Sequence, residues 1–301
     1  MAKKIYGIIG YPVKHSLSPA MHNAAFRALG IDAEYKLFEV KPEELNSFLD
    51  SLAEKNIYGL NVTIPHKVRV KEILEKEFPY DKDALLVGHQ DSYYVKWSGA
   101  VNTINRREDK LEYYNTDANG FLESLKADLE FIPKDKKVLL LGCGGAGRAI
   151  IAGLSWVQVG ILRIYTSDIN AETLNSAKEH FSHGPEYLRS RLEFISEEQI
   201  IDKIKDVDLL VNASPVGMKV GDKSLVDKEL LREGKKSLCV YDAVYNRETQ
   251  LVKDAKELLG DSRAVGGLGM LLHQGMRSFK IWTGKPAPKE VMQKALSEAL
   301  K

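Results

Sequence analysis

Residues 136–154, KKVLLLGCGGAGRAIIAGL, constrain the fold more than any other stretch of the chain. An apolar run meets Gly142, Gly144 and Gly147, and apolar residues then resume at helical spacing. This reads as strand, tight turn and helix, and in that setting the three glycines have separate duties. Gly142 permits the turn, Gly144 lets the backbone come close to a pyrophosphate, and Gly147 lets the helix pack on the strand. The unpaired N–H groups that open the helix, at Gly145 and Ala146, would then hold phosphate oxygens. A dinucleotide is the favoured ligand, with a plain glycine-rich connection as the alternative.

The remaining pattern agrees with a parallel-sheet α/β protein. Before the glycine turn, strands are expected at 5–9, 34–40 and 58–64, with helices at 19–29, 42–55 and 68–77. Ser18 followed by Pro19 is a helix start, with Ser18 at the N-cap, and Gly30 is the stop. Residues 101–114 read as two strands joined by a polar turn at 107–109, and a helix starts near Asp117. After the glycine turn come strands at 162–166, 192–195, 209–212 and 238–244, and helices at 171–181, 197–205 and 249–259. The last helices, 268–282 and 288–300, could join either half. A length of 301 residues accommodates two domains. The expectation is therefore a mainly parallel α/β domain followed by a Rossmann-type dinucleotide-binding domain.

Composition excludes several function classes. Lys and Arg number 43 against 42 Asp and Glu, which gives no basic excess for a nucleic acid. Two cysteines, Cys143 and Cys239, make neither a disulfide framework nor a Cys-rich zinc site, and the seven histidines show no metal-binding spacing. No metal is expected. The N-terminal apolar run is too short for a signal peptide or a membrane span, so a soluble cytoplasmic protein is expected.

Two positions carry the chemistry. Asp168 lies about twenty residues past the turn, where a carboxylate accepts bonds from the ribose hydroxyls of NAD and repels the 2′-phosphate of NADP. No arginine follows it to compensate, so NAD is expected, with NADP as the alternative; a helix cap is the competing role for Asp168. The second position is GLNVTIPHK, residues 59–67. A strand there ends in polar residues, and Lys67 opens the next helix, where the dipole disfavours a cation. Ligands collect at the carboxyl ends of parallel strands, so Ser16, Ser18, Asn61, Thr63 and Lys67 should face one crevice. Helix capping by the serines and a solvated Lys67 are the bland alternatives.

SLSPAMHN, NVTIPHK, GAVNT, NTDANGF, GCGGAGRA, NASPVGM, YDAVY and GGLGMLLHQG occur in this order. In that combination, from about Tyr6 to Gly284, the chain resembles the shikimate dehydrogenase family. The resemblance implies an enzyme of aromatic amino-acid (chorismate) biosynthesis that reversibly reduces 3-dehydroshikimate to shikimate with a nicotinamide cofactor. It implies Lys67 and Asp117 as the catalytic pair, and Ser16 and Ser18 on the substrate carboxylate. Asn61, Thr63, Asn102 and Gln274 would bind ring hydroxyls, with Tyr245 near the carboxylate. Asn212 to Ser214 would lie along the cofactor, and Met218 and Gly267 against the nicotinamide. The C-terminal helices would return to the first domain, giving a substrate domain of 1–117 plus 268–301 and an NAD(P)-binding domain of 118–267. Neither nucleic acid nor membrane is expected as partner, and the protein is a monomer or a homodimer.

The proposed pair makes chemical sense. Hydride addition to a ketone builds negative charge on oxygen, which an ammonium stabilises and protonates, and a carboxylate partner keeps that ammonium charged and aimed. Asp117 has helix capping as its alternative role. Three features depart from the family pattern. SDI replaces the Asn-Arg-Thr that clasps the NADP phosphate, as in the quinate/shikimate branch, so quinate is an alternative substrate; a nucleotide-binding regulator of the same fold is the non-enzyme alternative. YNRETQLV is one residue shorter than the common Tyr-x-Pro form around Tyr245. The segment 78–96 is long and rich in Tyr and Asp, either a rim loop or an oligomer contact.

Overall fold

A computed structural model describes residues 3–79, 90–108 and 110–301. The backbone divides into two compact units, 1–120 plus 271–301 and 121–270. The sequence placed these boundaries three residues earlier, at 117/118 and 267/268.

In the first unit the chain runs β1 (Lys4–Gly10), α1 (Ser18–Ala28), β2 (Ala33–Glu39), a 3-10 turn (Pro42–Glu44), α2 (Leu45–Asp50), β3 (Ile57–Val62) and α3 (Lys67–Glu77). It continues with α4 (Gln90–Ser98), the hairpin β4 (Thr103–Arg107) and β5 (Lys110–Tyr114), and the first turn of α5 (Asp117–Asp128), a helix that the unit boundary after Gly120 divides. The sheet order is β2-β1-β3-β4-β5. Only β4 runs against the others, because β3–β4 and β4–β5 are the antiparallel pairs. Register sets Asn61 beside Thr103, and Thr103 beside Tyr114. On one face Leu45, Leu60, Val70, Leu74 and Val101 form the core. On the other, Tyr6, Phe26 and Trp282 stack together, Trp282 coming from α12 (Leu268–Thr283). A Cβ at Gly59 would lie 2.4 Å from the Trp282 indole nitrogen, so this glycine lets the helix settle on the sheet. That indole donates to the Ile104 carbonyl at 2.9 Å. The final helix, α13 (Lys289–Ala299), packs on α1.

The second unit holds six parallel strands: β6 (Lys137–Leu141), β7 (Arg163–Ser167), β8 (Leu192–Phe194), β9 (Leu209–Asn212), β10 (Cys239–Asp242) and β11 (Ala264–Gly266). Their order, β11-β10-β9-β6-β7-β8, is the doubly wound 3-2-1-4-5-6 arrangement, with its switch point between β6 and β9. Helices α6 (Gly145–Leu154), α7 (Ala171–Ser182), α8 (Glu186–Arg189), α9 (Ile200–Ile204), α10 (Lys228–Arg232) and α11 (Gln250–Leu259) connect them. Val138, Leu139, Leu140 and Leu141 are all buried, as expected of a central strand covered on both faces.

Some expectations shift. Ser18 is not the N-cap of α1, because Leu17 occupies that place and makes no side-chain cap. The helix at 42–55 shortens to the 3-10 turn and α2, and 197–205 shrinks to α9. Part of the 78–96 segment, residues 80–89, lies outside the described residues, as does Asp109 of the hairpin turn; residues 90–96 belong to α4. Among the described residues no helix is long and apolar enough to cross a membrane.

Candidate active site

The glycine turn has the geometry of a phosphate cradle. Gly142 adopts φ 104°, and a Cβ there would lie 2.7 Å from the Ser214 backbone nitrogen. At Gly147 a Cβ would fall 1.9 Å from the Gly142 carbonyl oxygen. Gly144 differs, since nothing lies within 4 Å of its Cβ position. Protein thus closes the first and third glycines, while the second faces open space at the start of α6. There the N–H groups of Gly145 and Ala146 have no intrahelical acceptor. The residues present fit a dinucleotide pyrophosphate.

This difference is measurable. Gly147→Ala should destabilise the fold by about 2 kcal/mol or more, because backbone atoms cannot yield to the added methyl. Gly144→Ala should leave the melting temperature unchanged yet weaken dinucleotide binding about tenfold or more. Thermal melts and a fluorescence titration separate the two, and unchanged affinity in Gly144→Ala would remove this turn from the cofactor site.

Asp168 follows β7 and accepts from the Cys143 N–H at 2.6 Å and the Asn170 N–H at 2.8 Å. It does not cap α7, since Asn170 does so through the Thr173 N–H at 2.9 Å. With Gly142, Ile169, Glu197 and Ser214, Asp168 lines a shallow hollow beside the cradle. Cys143 is no nucleophile, because burial pushes its thiol up to about 11.

The carboxyl ends of β9, β10 and β11 carry the other expected cofactor residues. Asn212 is buried, and its amide donates to Asp242 and to the Val216 carbonyl while accepting from Ser214. Its side chain shapes the loop, and Ser214 lines the hollow. Burial raises the Asp242 carboxyl, which three donors, Asn212, Thr249 and the Val244 N–H, hold in place. Met218 is exposed, its carbonyl held by Asn246 at 3.1 Å. Gly267 runs so close to β10 that a Cβ would lie 2.2 Å from the Ala243 oxygen. Tyr245 follows in the same unit, half-buried.

In the first unit, polar groups gather where β1 and β3 end. The Ser16 hydroxyl accepts from the Ser18 N–H at 3.3 Å, and Ser18 itself is buried. Thr63 is half-buried, and its hydroxyl makes no hydrogen bond among the described residues. His66 anchors the turn through the Val40 carbonyl at 2.7 Å, and the Lys67 carbonyl accepts from the Val101 N–H at 2.9 Å. Lys67, so fixed at the first position of α3, reaches Asp117 Oδ2 at 2.6 Å, with side chains 13% and 7% exposed.

Asp117 opens α5 without capping it. Asn115 Oδ1 accepts from the Asp117 and Ala118 N–H groups at 3.1 and 3.4 Å, which frees the carboxylate. Its second oxygen, Oδ1, accepts from Asn102 Nδ2 at 2.9 Å. That amide also meets Thr116 Oγ1 at 2.9 Å and Gln274 Oε1 at 3.4 Å, and Asn102 Oδ1 accepts from the Thr116 N–H at 2.7 Å. Gln274 is buried and uses one N–H on the Leu271 carbonyl.

Asn61 has several internal partners. Its Oδ1 accepts from the Tyr35 hydroxyl at 2.7 Å, and its Nδ2 faces the Asn102 carbonyl, Thr103 Oγ1 and Ser278 Oγ. An amide has two N–H donors, and three internal acceptors already surround them. Asn61 is thus tied into the protein's own polar groups. Sequence reasoning overlooked Asn115, Thr116 and Ser278. The first had a signal, an Asn two residues ahead of a helix. Among the described residues no group of His, Cys, Asp or Glu could hold a metal.

The model of the "shikimate dehydrogenase substrate binding domain" matches residues 8–104, and that of the "shikimate 5'-dehydrogenase C-terminal domain" matches residues 267–296. The chain is 38% identical to the shikimate dehydrogenase (NADP(+)) of Methanopyrus kandleri, across 99% of this chain and 96% of that protein. It superposes on a shikimate dehydrogenase solved with NADP+ with TM-score 0.81 and 34% identity, covering 99% of this chain and 96% of the other. A Listeria monocytogenes shikimate 5-dehydrogenase in complex with shikimate and NAD gives TM-score 0.78 and 29% identity, over 97% of this chain and 96% of that one.

Proposed function

The chain belongs to the shikimate dehydrogenase family, and on that premise we propose that it interconverts 3-dehydroshikimate and shikimate in aromatic amino-acid biosynthesis. The observation that carries this reading is the Lys67–Asp117 pair, 2.6 Å apart at the ligand-collecting end of a mainly parallel sheet. When bound, the reduced nicotinamide supplies hydride to the ketone carbon. Lys67 then donates a proton from Nζ to the oxygen as its charge grows, and in the reverse direction takes that proton back. Asp117, itself held by Asn102, aims the ammonium. Ser16 and Ser18 hold the substrate carboxylate, with Tyr245 near it, and Thr63 and Gln274 bind ring hydroxyls. Asn102 acts chiefly on Asp117. Gly142, Gly144, Gly145, Ala146, Gly147 and Ser214 cradle the dinucleotide, with Met218 and Gly267 against the nicotinamide. Every one of these groups comes from one chain, so a monomer or a homodimer can carry the reaction.

NAD is the proposed cofactor over NADP, although the Methanopyrus relative is named for NADP(+). Asp168 and Glu197 line the same hollow. Two carboxylates there favour ribose hydroxyls and oppose a 2′-phosphate. Rates with shikimate and with quinate, each with NAD and NADP, test both parts. Shikimate with NAD should be fastest, and Asp168→Ala should lower kcat/KM for NAD about 10- to 100-fold while sparing NADP. A strong NADP preference in the native protein would overturn the Asp168 argument. No turnover with any of the four pairs would overturn the dehydrogenase reading, and faster turnover of quinate would move it to the quinate branch.

A further inference from the structure

Below the catalytic pair lies a buried hydroxyl cluster that no part of the reaction scheme uses. Ser278, on α12, is fully buried, and its Oγ lies 2.8 Å from Thr103 Oγ1, 3.2 Å from Thr116 Oγ1 and 3.0 Å from Asn61 Nδ2. It donates its own proton to the Gln274 carbonyl, one helical turn back, at 3.0 Å. A hydroxyl has one donor and two acceptor lone pairs. With its proton on Gln274, Ser278 is left as the common acceptor for the Asn61 amide and a threonine hydroxyl. Thr103 and Thr116 are themselves 3.3 Å apart, and both reach Asn102 Oδ1, at 3.1 and 3.2 Å.

We propose that Ser278 is a positioning residue for the Lys67–Asp117 pair, acting through Thr116 and Asn102. Each link has a partner on the next element: Ser278 on α12, Thr116 just ahead of α5, Asn102 just ahead of β4, and the carboxylate of Asp117. Asn102 has one amide nitrogen for both Thr116 and Asp117, so the orientation that serves one serves the other. If Ser278 loses its oxygen, Thr116 keeps only the more distant Thr103 Oγ1, at 3.3 Å, beyond Asn102, and its hydroxyl can rotate. The Asn102 amide, still held at Oδ1 by the Thr116 N–H, then loses the fixed acceptor beside its nitrogen, and the donor to Asp117 Oδ1 is less firmly aimed. The ammonium of Lys67 swings with the carboxylate, and small displacements of a proton donor are costly in rate. A serine at this place in a buried helix is otherwise hard to explain, because an apolar residue would fill it without needing four polar neighbours.

This inference rests on the proposed role of Lys67, so its test has one readout that needs no substrate. Ser278→Ala, Thr116→Val and the double variant are compared by steady-state kinetics. The rate at which acetic anhydride acylates Lys67 is followed in each by mass spectrometry. Ser278→Ala should lower kcat about tenfold with the KM for cofactor unchanged, and should raise Lys67 acylation several-fold. The double variant should lose no more than the worse single variant, as residues in one chain of contacts do not act additively. Thr116→Ser, which keeps the hydroxyl, should recover most of the turnover lost in Thr116→Val. Effects that multiply in the double variant, or a Ser278→Ala protein with native kcat and native Lys67 acylation, would overturn the proposal. If the native protein turns over neither shikimate nor quinate, the dehydrogenase reading fails, and the acylation rates alone decide on Ser278.

Discussion

Lys67→Ala should lower kcat by roughly three orders of magnitude, since it removes both a proton donor and a charge beside the developing alkoxide. The protein should stay folded, for reasons visible at the two helix ends. Lys67 is the first residue of α3, whose first turn has no acidic residue, so its charge sits unfavourably on the helix dipole. Asp117 is the first residue of α5, where the dipole favours a carboxylate, and Asn102 still donates to it. Removing the lysine therefore leaves an anion with two other sources of support. Removing Asp117 instead leaves a cation at a positive helix end with its partner gone. Asp117→Ala should thus lower the melting temperature more than Lys67→Ala, while both lose turnover. Kinetics on shikimate and thermal melts of the two variants check both statements. A Lys67→Ala protein within tenfold of native kcat would take Lys67 out of the chemistry.

The fold was legible where its requirements are local. Three glycines, each with its own steric reason, and a run of Val138 to Leu141 specify strand, turn and helix without help from elsewhere. β11 and the short helices α8 and α10 span too few residues for any periodicity to show. Helix α4 was missed because Tyr93, Tyr94 and Trp97 are poor helix formers; its order comes from burying Tyr94 and Val95 completely. The site divides along the same line. Lys67 and Asp117 stand out because each is an oddity in its own neighbourhood. The partners of Asn61 were not legible, because its amide is oriented by Tyr35, 26 residues away, and Ser278, 217 residues away. Nothing near position 61 reveals that its donors are taken. Only the strand register and α12 bring those partners together.

Acid should unfold this protein through one histidine. His22, on α1, is wholly buried, and neither of its ring nitrogens has a hydrogen-bond partner. It stacks on Tyr35 at 4.4 Å between ring centres, with Trp282 at 5.2 Å and Phe279 at 6.4 Å. Burial lowers its pKa from 6.5 to about 3. The folded state therefore resists the proton that the unfolded chain accepts. This group leaves stability independent of pH above about pH 6.5, costs more as pH drops below that, and its cost levels off near pH 3. The shift corresponds to roughly 5 kcal/mol, comparable with the whole stability of many domains. Urea unfolding between pH 7.5 and 4.5 should show a steep loss in the native protein and a flatter one in His22→Phe. That variant should also be more stable at neutral pH, because it removes two unpaired polar atoms from an aromatic stack. Equal slopes would mean that His22 finds a proton acceptor after all. The consequence reaches the site, since the Tyr35 ring that covers His22 carries the hydroxyl bound to Asn61, one step from Ser278 and the hydroxyl cluster. Protonating His22 would expel it from beneath Tyr35, so activity in acid should fail together with this stack.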